Sequence, residues 1–187
     1  MNRTPLVKKG RRKGGRRGAE MMEFALAFLP LMCMVFCFLD IAWAVFAKST
    51  LNYAVRMGLR YGITITGTQA TAANSDLAAM TKAKVQSSAL GLLNGSSGLS
   101  KIKIHFYQPP ATGTNAAPTL VDSQANANQP LNIMEVDIEG FTLVPLAPRI
   151  FDWRTRGGPD HASTQLAASA YDMIEPSRDV PPKGTVP

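Results

Sequence analysis

Cysteine and histidine are nearly missing from this chain, with two of each in 187 residues. Cys33 and Cys37 both fall inside one apolar run, so the remainder of the chain can carry no disulfide. With no third cysteine and no nearby histidine, the pair reads as small apolar packing and not as a metal or redox site. The usual marks of catalysis are absent as well: there is no HExxH, no GxSxG, no paired CxxC and no phosphate loop of the GxxxxGK type. His105 and His161 read as surface residues. The expectation is therefore a protein that is not an enzyme, with no cofactor and no metal.

Acid is also missing where it would matter most. The first seventeen residues contain none, yet they hold eight of the twenty basic residues: Arg3, Lys8, Lys9, Arg11, Arg12, Lys13, Arg16 and Arg17. The net charge of +7 belongs to this arm, since the rest of the chain sets twelve bases against thirteen acids. A glycine-rich basic arm has no apolar face to fold around. No aromatic residue or nucleic-acid-binding motif accompanies it, so it does not read as a nucleic-acid binder.

What the chain does have is a long hydrophobic run. From Phe24 to Ala47 the only ionisable side chain besides the two thiols is Asp40. As a helix this run is about 36 Å long, enough for a hydrocarbon core of about 30 Å. The basic arm holds its own flank in the cytoplasm, so the body is expected on the far side of the membrane. Pro30 lies inside the span, where membrane helices accept proline more readily than soluble ones, and a kink or local unwinding is expected near Leu26. The segment LPLMC lacks the small residues that precede a lipid-modified cysteine.

Past the span the helical period continues. Ala47, Leu51, Ala54, Gly58 and Gly62 recur at three- and four-residue steps, opposite a line of Lys48, Asn52, Arg56 and Arg60. One helix is expected from Ala19 to about Tyr61, its second half covering the core of its own domain, with small residues that admit another backbone. A turn-rich break covers residues 62 to 75, and a second helix is expected from Leu77 to Leu93, ended by Asn94 and Gly95. Strands follow at 101 to 107, at 132 to 141 and in 164 to 175. The first two carry opposite charges on their exposed faces, Lys101, Lys103 and His105 against Glu135, Asp137 and Glu139, which suits antiparallel neighbours. The three acids do not read as a calcium site, because strand positions two apart are separated by about 6.6 Å, too far to close on one cation with ligands near 2.4 Å. Residues 109 to 130 read as a long surface loop. The predicted class is α+β, with about three antiparallel strands. It divides into a leader (1–18), a transmembrane helix (19–47), an amphipathic extension (48–62), an α+β domain (63–175) and a loose tail (176–187).

An acid at the edge of a membrane span needs a reason. An intramembrane carboxylate costs about 2.5 to 3.5 kcal/mol at mid-bilayer, less near the interface, and such residues usually mark a partner. If the chain were cut after Gly18, Glu23 would become the fifth residue of a new protein that starts with a positive amine at Ala19. A carboxylate there can meet the amine of an adjacent copy when subunits stack with an axial offset.

These residues carry a resemblance. A basic leader ending in glycine, a glutamate five residues on and then a hydrophobic helix resembles the processing site of type IV prepilins and pseudopilins. More narrowly, residues 16 to 62 look like the TadE-like family: EFAL (Glu23 to Leu26), LPL (Leu29 to Leu31), an acid late in the span (Asp40), and an NxAxRxGxRY-type helix end (Asn52, Ala54, Arg56, Gly58, Arg60, Tyr61). The resemblance implies a minor pilin or pseudopilin of the tight-adherence (Flp, type IVb) pilus machinery. It implies cytoplasmic cleavage between Gly18 and Ala19 by a membrane prepilin peptidase, and subunit assembly through Glu23, Phe24 and Asp40. The implied partners are other pilins and the assembly platform, in a hetero-oligomer at the bacterial inner membrane with a periplasmic C-terminal domain. Phe24 stands where major Flp pilins often have tyrosine, and the chain is longer than they are, which favours a minor or initiating subunit. Two other readings stand beside it: an uncut single-pass anchor displaying a binding or scaffold domain, and a secreted protein cut after Ala44 at the small-x-small triplet Ala42-Trp43-Ala44.

Overall fold

The computed structural model describes residues 16–111, 116–143 and 164–186. The leader expected at 1–18 lies largely outside them, as do residues 144–163 of the expected domain. In order, the elements are α1 (Arg16–Thr64), α2 (Gly67–Ala72), α3 (Leu77–Ser88), α4 (Gly95–Leu99), β1 (Ile102–Gln108), β2 (Thr119–Leu120), β3 (Ile133–Leu143) and β4 (Thr164–Met173). The class is α+β, as the pattern predicts, with four strands where about three were expected.

α1 is a 49-residue helix uninterrupted at Pro30, about 73 Å long at 1.5 Å per residue. Its two halves live in different surroundings. From Gly18 to Phe46 no residue is buried, and the most apolar window, with mean hydropathy 2.4, has none of its residues covered by the rest of the chain. From Ala47 onward the apolar stripe goes under: Ala47, Leu51, Ala54, Val55, Leu59 and Ile63 are buried. The small residues of this half do make room for neighbours, and what fills the room is side chains of the same chain. A methyl group at Gly58 would collide with Val85 Cγ2 of α3, and one at Gly62 would fall 2.7 Å from the Met134 methyl of β3.

The sheet has the order β2-β1-β3-β4 and is antiparallel throughout. β1 and β3 pair with Ile104 opposite Val136, Lys103 opposite Asp137 and His105 opposite Glu135, so their outward faces do meet with opposite charge. The inward face of Ile102, Ile104, Phe106, Met134, Val136, Ile138 and Ala168 forms the core with α1 and α3. A register shift between Ile138 and Phe141 is accommodated by Gly140 at φ +65, a left-handed conformation that glycine adopts without penalty.

Four expectations need correction. The break at 62 to 75 contains α2, whose Thr66 side chain accepts from the Gln69 N–H while Gln69 returns a bond to the Thr66 N–H. The helix expected to reach Leu93 stops at Ser88, because Leu90 and Gly91 turn into positive φ, and the short α4 follows Asn94. The 109–130 segment is not wholly a surface loop: Val121, Ala127 and Asn128 are buried, and Val121 N–H donates to Phe106 O at 2.8 Å. Finally, residues 176–186 are not loose. Their carbonyls at Pro182 and Lys183 accept from Leu77 N–H and Ala78 N–H, satisfying donors at the start of α3 that have no partner inside the helix.

Candidate functional site

All six residues singled out from the sequence lie on α1, on its uncovered half. Gly18 and Ala19 are exposed, and a methyl group at Gly18 would meet nothing within 4 Å. Glu23 is exposed one turn further on, and Phe24, 68% exposed, stacks on Phe28 with ring centroids 5.5 Å apart. Pro30 is exposed and Asp40 partly covered. These residues do not converge on a pocket. Glu23 and Asp40 are seventeen positions apart, about 26 Å along the axis and about 100° around it. Within one chain the two carboxylates are therefore far apart and on different sides of the helix.

A second constellation, on the domain, was not singled out as a site. Asp122, from the segment after β2, receives the Phe106 N–H on Oδ1 at 2.5 Å and faces His105 Nδ1 with Oδ2 at 2.6 Å. On the other side of the ring, His105 Nε2 stands 4.0 Å from Asp137 Oδ1, a buried oxygen without a hydrogen-bond partner. Burial, with Glu139 and Glu135 nearby and His105 opposing, pushes the Asp137 carboxyl up to about 6. Beside it the Tyr107 hydroxyl is pushed up to about 12, first by its hydrogen bond to Glu135, then by burial and the surrounding carboxylates. Lys183 clamps the same segment, donating to Asp122 O at 2.5 Å and Gln124 O at 2.8 Å. The sequence displayed His105 and Asp137 on facing strands, but Asp122 lay in a segment read as loop.

A third feature is Arg178. Its guanidinium is buried and donates to the carbonyls of Gly62 (2.8 Å), Ile65 (3.3 Å) and Asn128 (3.0 Å), tying the last segment to the end of α1. Burial pulls its pKa below the ordinary value, with Glu175 opposing. No sequence motif marked it. Among the described residues, no group of three histidine, cysteine or acidic side chains is placed to hold a metal ion.

Set against known proteins, residues 18–60 match the family of TadE-like proteins. The N-terminal segment is therefore TadE-like, and the match begins at Gly18 and ends at Arg60, along the one helix that carries every residue of the first constellation. No curated protein and no solved structure matches the chain. The uncovered half of α1 is the one helix among the described residues long and apolar enough to cross a membrane, consistent with a single-pass anchor.

Proposed function

We propose that this chain is a minor pilin or pseudopilin of a tight-adherence (Flp) pilus assembly system, held in the bacterial inner membrane by α1 and cut by a prepilin peptidase between Gly18 and Ala19. It is the substrate of that reaction and catalyses none of it. The carrying observation is the TadE-like α1: one continuous helix runs from the proposed cut, past Glu23, through an uncovered apolar half and into the core of an α+β domain.

In this reading each part has a role. The basic leader keeps the Gly18–Ala19 bond on the cytoplasmic side, and glycine suits a narrow peptidase pocket. Cutting creates an ammonium at Ala19, and Glu23 stands within the first turn or so of the mature helix. In a stack with an axial step, the carboxylate of one copy meets the ammonium of another in a low-dielectric setting, where an opposite charge counts far more than in water. Phe24 and the exposed apolar side chains supply the lateral contact, and Asp40 gives a second charged contact deeper in the span. Partners are other pilins and the assembly platform.

Two measurements test this. The mass or N-terminal sequence of the membrane-extracted protein should begin at Ala19; a start at Met1 indicates an uncut anchor, and one at Val45 a secreted domain. Glu23→Ala should leave membrane insertion intact and stop incorporation into the assembly, so normal piliation in that variant removes the role given to Glu23.

A further inference from the structure

The outer face of the membrane-external half of α1 has an electrostatic peculiarity. Lys48, Arg56 and Arg60 are exposed in a row at multiples of four residues, with Asn52 in the gap, and no ion pair, hydrogen bond or ring contact engages their side chains among the described residues. Like charges four apart cost a helix a few tenths of a kcal/mol, so the helix itself gains nothing from the row. Tyr53, 57% exposed, lies within about 60° of Arg56 and Arg60 around the axis. Tyrosine and arginine are both enriched where protein surfaces meet.

Lipid phosphate can satisfy Lys48, which follows the last apolar residue of the span. It does not reach the arginines of an upright helix: they stand about 12 and 18 Å further along the axis, whereas the headgroup layer adds only about 5 to 8 Å on each side. The complementary anion is therefore on protein, and this chain carries one. Outside the basic arm its charges nearly balance, yet they are segregated. Asp172, Glu175 and Asp179 are all exposed, and the only base among residues 172–179 is the buried Arg178.

These acids form a rim level with the end of α1. Asp172 pairs opposite Met134, which touches Gly62. Arg178 holds the Gly62 and Ile65 carbonyls, and Asp179 O accepts the Gly67 N–H. Arg60 and Arg56 lie about 3 and 9 Å nearer the membrane than Gly62, and no salt bridge joins row to rim within one copy. A neighbour displaced along the axis by a comparable step brings them together.

We infer that copies of this chain associate head to tail, the Tyr53, Arg56 and Arg60 face of one seated on the Asp172, Glu175 and Asp179 rim of the next. Because row and rim are different surfaces, the contact is heterologous. Each addition leaves a free row at one end and a free rim at the other, and with an axial step the series propagates as a helix instead of closing. The inference shares with the proposed function the premise of neighbouring anchored copies and does not depend on the cut after Gly18.

The test uses the full chain in membranes, with Cys33→Ala and Cys37→Ala to remove native thiols. Two differently tagged copies are co-expressed, one with Tyr53→Cys and the other with Ser177→Cys, and joined by a short bis-maleimide. The mixed pair should cross-link, and two Tyr53→Cys copies should not. Adding Arg56→Glu with Arg60→Glu to the first copy should cut the yield about tenfold or more, since like charge across an interface strongly suppresses pairing. Glu175→Lys with Asp179→Lys in the second copy should restore it, which a merely misfolded variant would not allow. Cross-linking that is indifferent to reversal, or self-pairing at Tyr53 as strong as the mixed pair, overturns the inference. The N-terminus of the cross-linked species is read separately: one beginning at Met1 leaves this contact standing and refutes the cleavage.

Discussion

Asp137 occupies a position that its strand pattern alone would make an ordinary outward acid. The alternation of β3 does show that it faces away from the core, and a basic face on the neighbouring strand was expected from the opposite charges. What the pattern does not carry is the depth: the side chain is only 15% exposed, with one oxygen buried and unbonded. His105 Nε2 stands 4.0 Å from that oxygen, and the Asp122 that fixes the His105 ring arrives through a return path that has no periodicity to read. The consequence is a carboxyl that holds its proton up to about pH 6 in the fold against 3.8 in a free chain. The native state thus binds more protons than the unfolded chain between those values. Stability is greatest below about pH 4 for this group and is lost as pH rises through 6. The full effect is about 3 kcal/mol, and solvent screening at the open sheet face reduces it to about 1 kcal/mol. Asp137→Asn should therefore raise the unfolding midpoint of the detergent-solubilised chain at pH 7.5 by about 3 to 5 °C. The gain should disappear at pH 4. A gain that is constant with pH, or a loss at pH 7.5, contradicts this account of Asp137.

At the scale of elements, what could be read ahead was what repeats. α1 announced itself through its apolar run and the three- and four-residue steps beyond it, and β1 and β3 through strict alternation. What could not be read depends on single contacts across long separations. The segment after β4 is rich in proline and charge, which reads as solvent-facing chain, yet it is fastened by Arg178 to α1 and by Pro182 and Lys183 carbonyls to α3. α2 did leave a signal, the Thr66-x-x-Gln69 capping box, outweighed by the small, turn-prone residues around it. The role of Arg178 sets up a specific expectation. Its planar fork satisfies three carbonyls from two places in the fold. Removing it leaves buried acceptors unpaired at about 1 to 3 kcal/mol each where water cannot replace it. Arg178→Met should lower stability by about 2 to 4 kcal/mol in urea unfolding. Arg178→Lys should recover little of it, since one ammonium does not reproduce the fork. A change below about 0.5 kcal/mol, the range of ordinary surface substitutions, means that the segment is not held by this residue.

Taken whole, the molecule is a long helix serving two solvents. The half up to Phe46 contributes nothing to the buried core, whereas the half from Ala47 is the core's longest member and cannot be withdrawn from it. The composition averages over both halves, which is why a mean hydropathy of -0.02 describes neither of them. The physical division falls between residues 46 and 47, where burial begins, and not at a proline, glycine or linker, since the helix passes through without a break. A chain beginning at Ala47 keeps every residue of the hydrophobic core cluster, which starts at Leu51, together with Arg178 and the register of all four strands. It loses the apolar surface that water cannot cover cheaply: the exposed Met, Leu, Phe, Ile and Trp side chains between Met21 and Phe46. Residues 47–187 should therefore express as a soluble domain without detergent and unfold in one cooperative transition, measured by circular dichroism, while the full chain partitions with membranes. A chain beginning at Tyr53 removes the buried Ala47, Thr50 and Leu51. It should be less stable than the longer fragment by about 2 to 5 kcal/mol, the loss expected for stripping one large and two small buried side chains. If the 47–187 fragment is insoluble or unfolded, the uncovered half of α1 contributes to the fold and the helix is not an anchor joined to an independent domain.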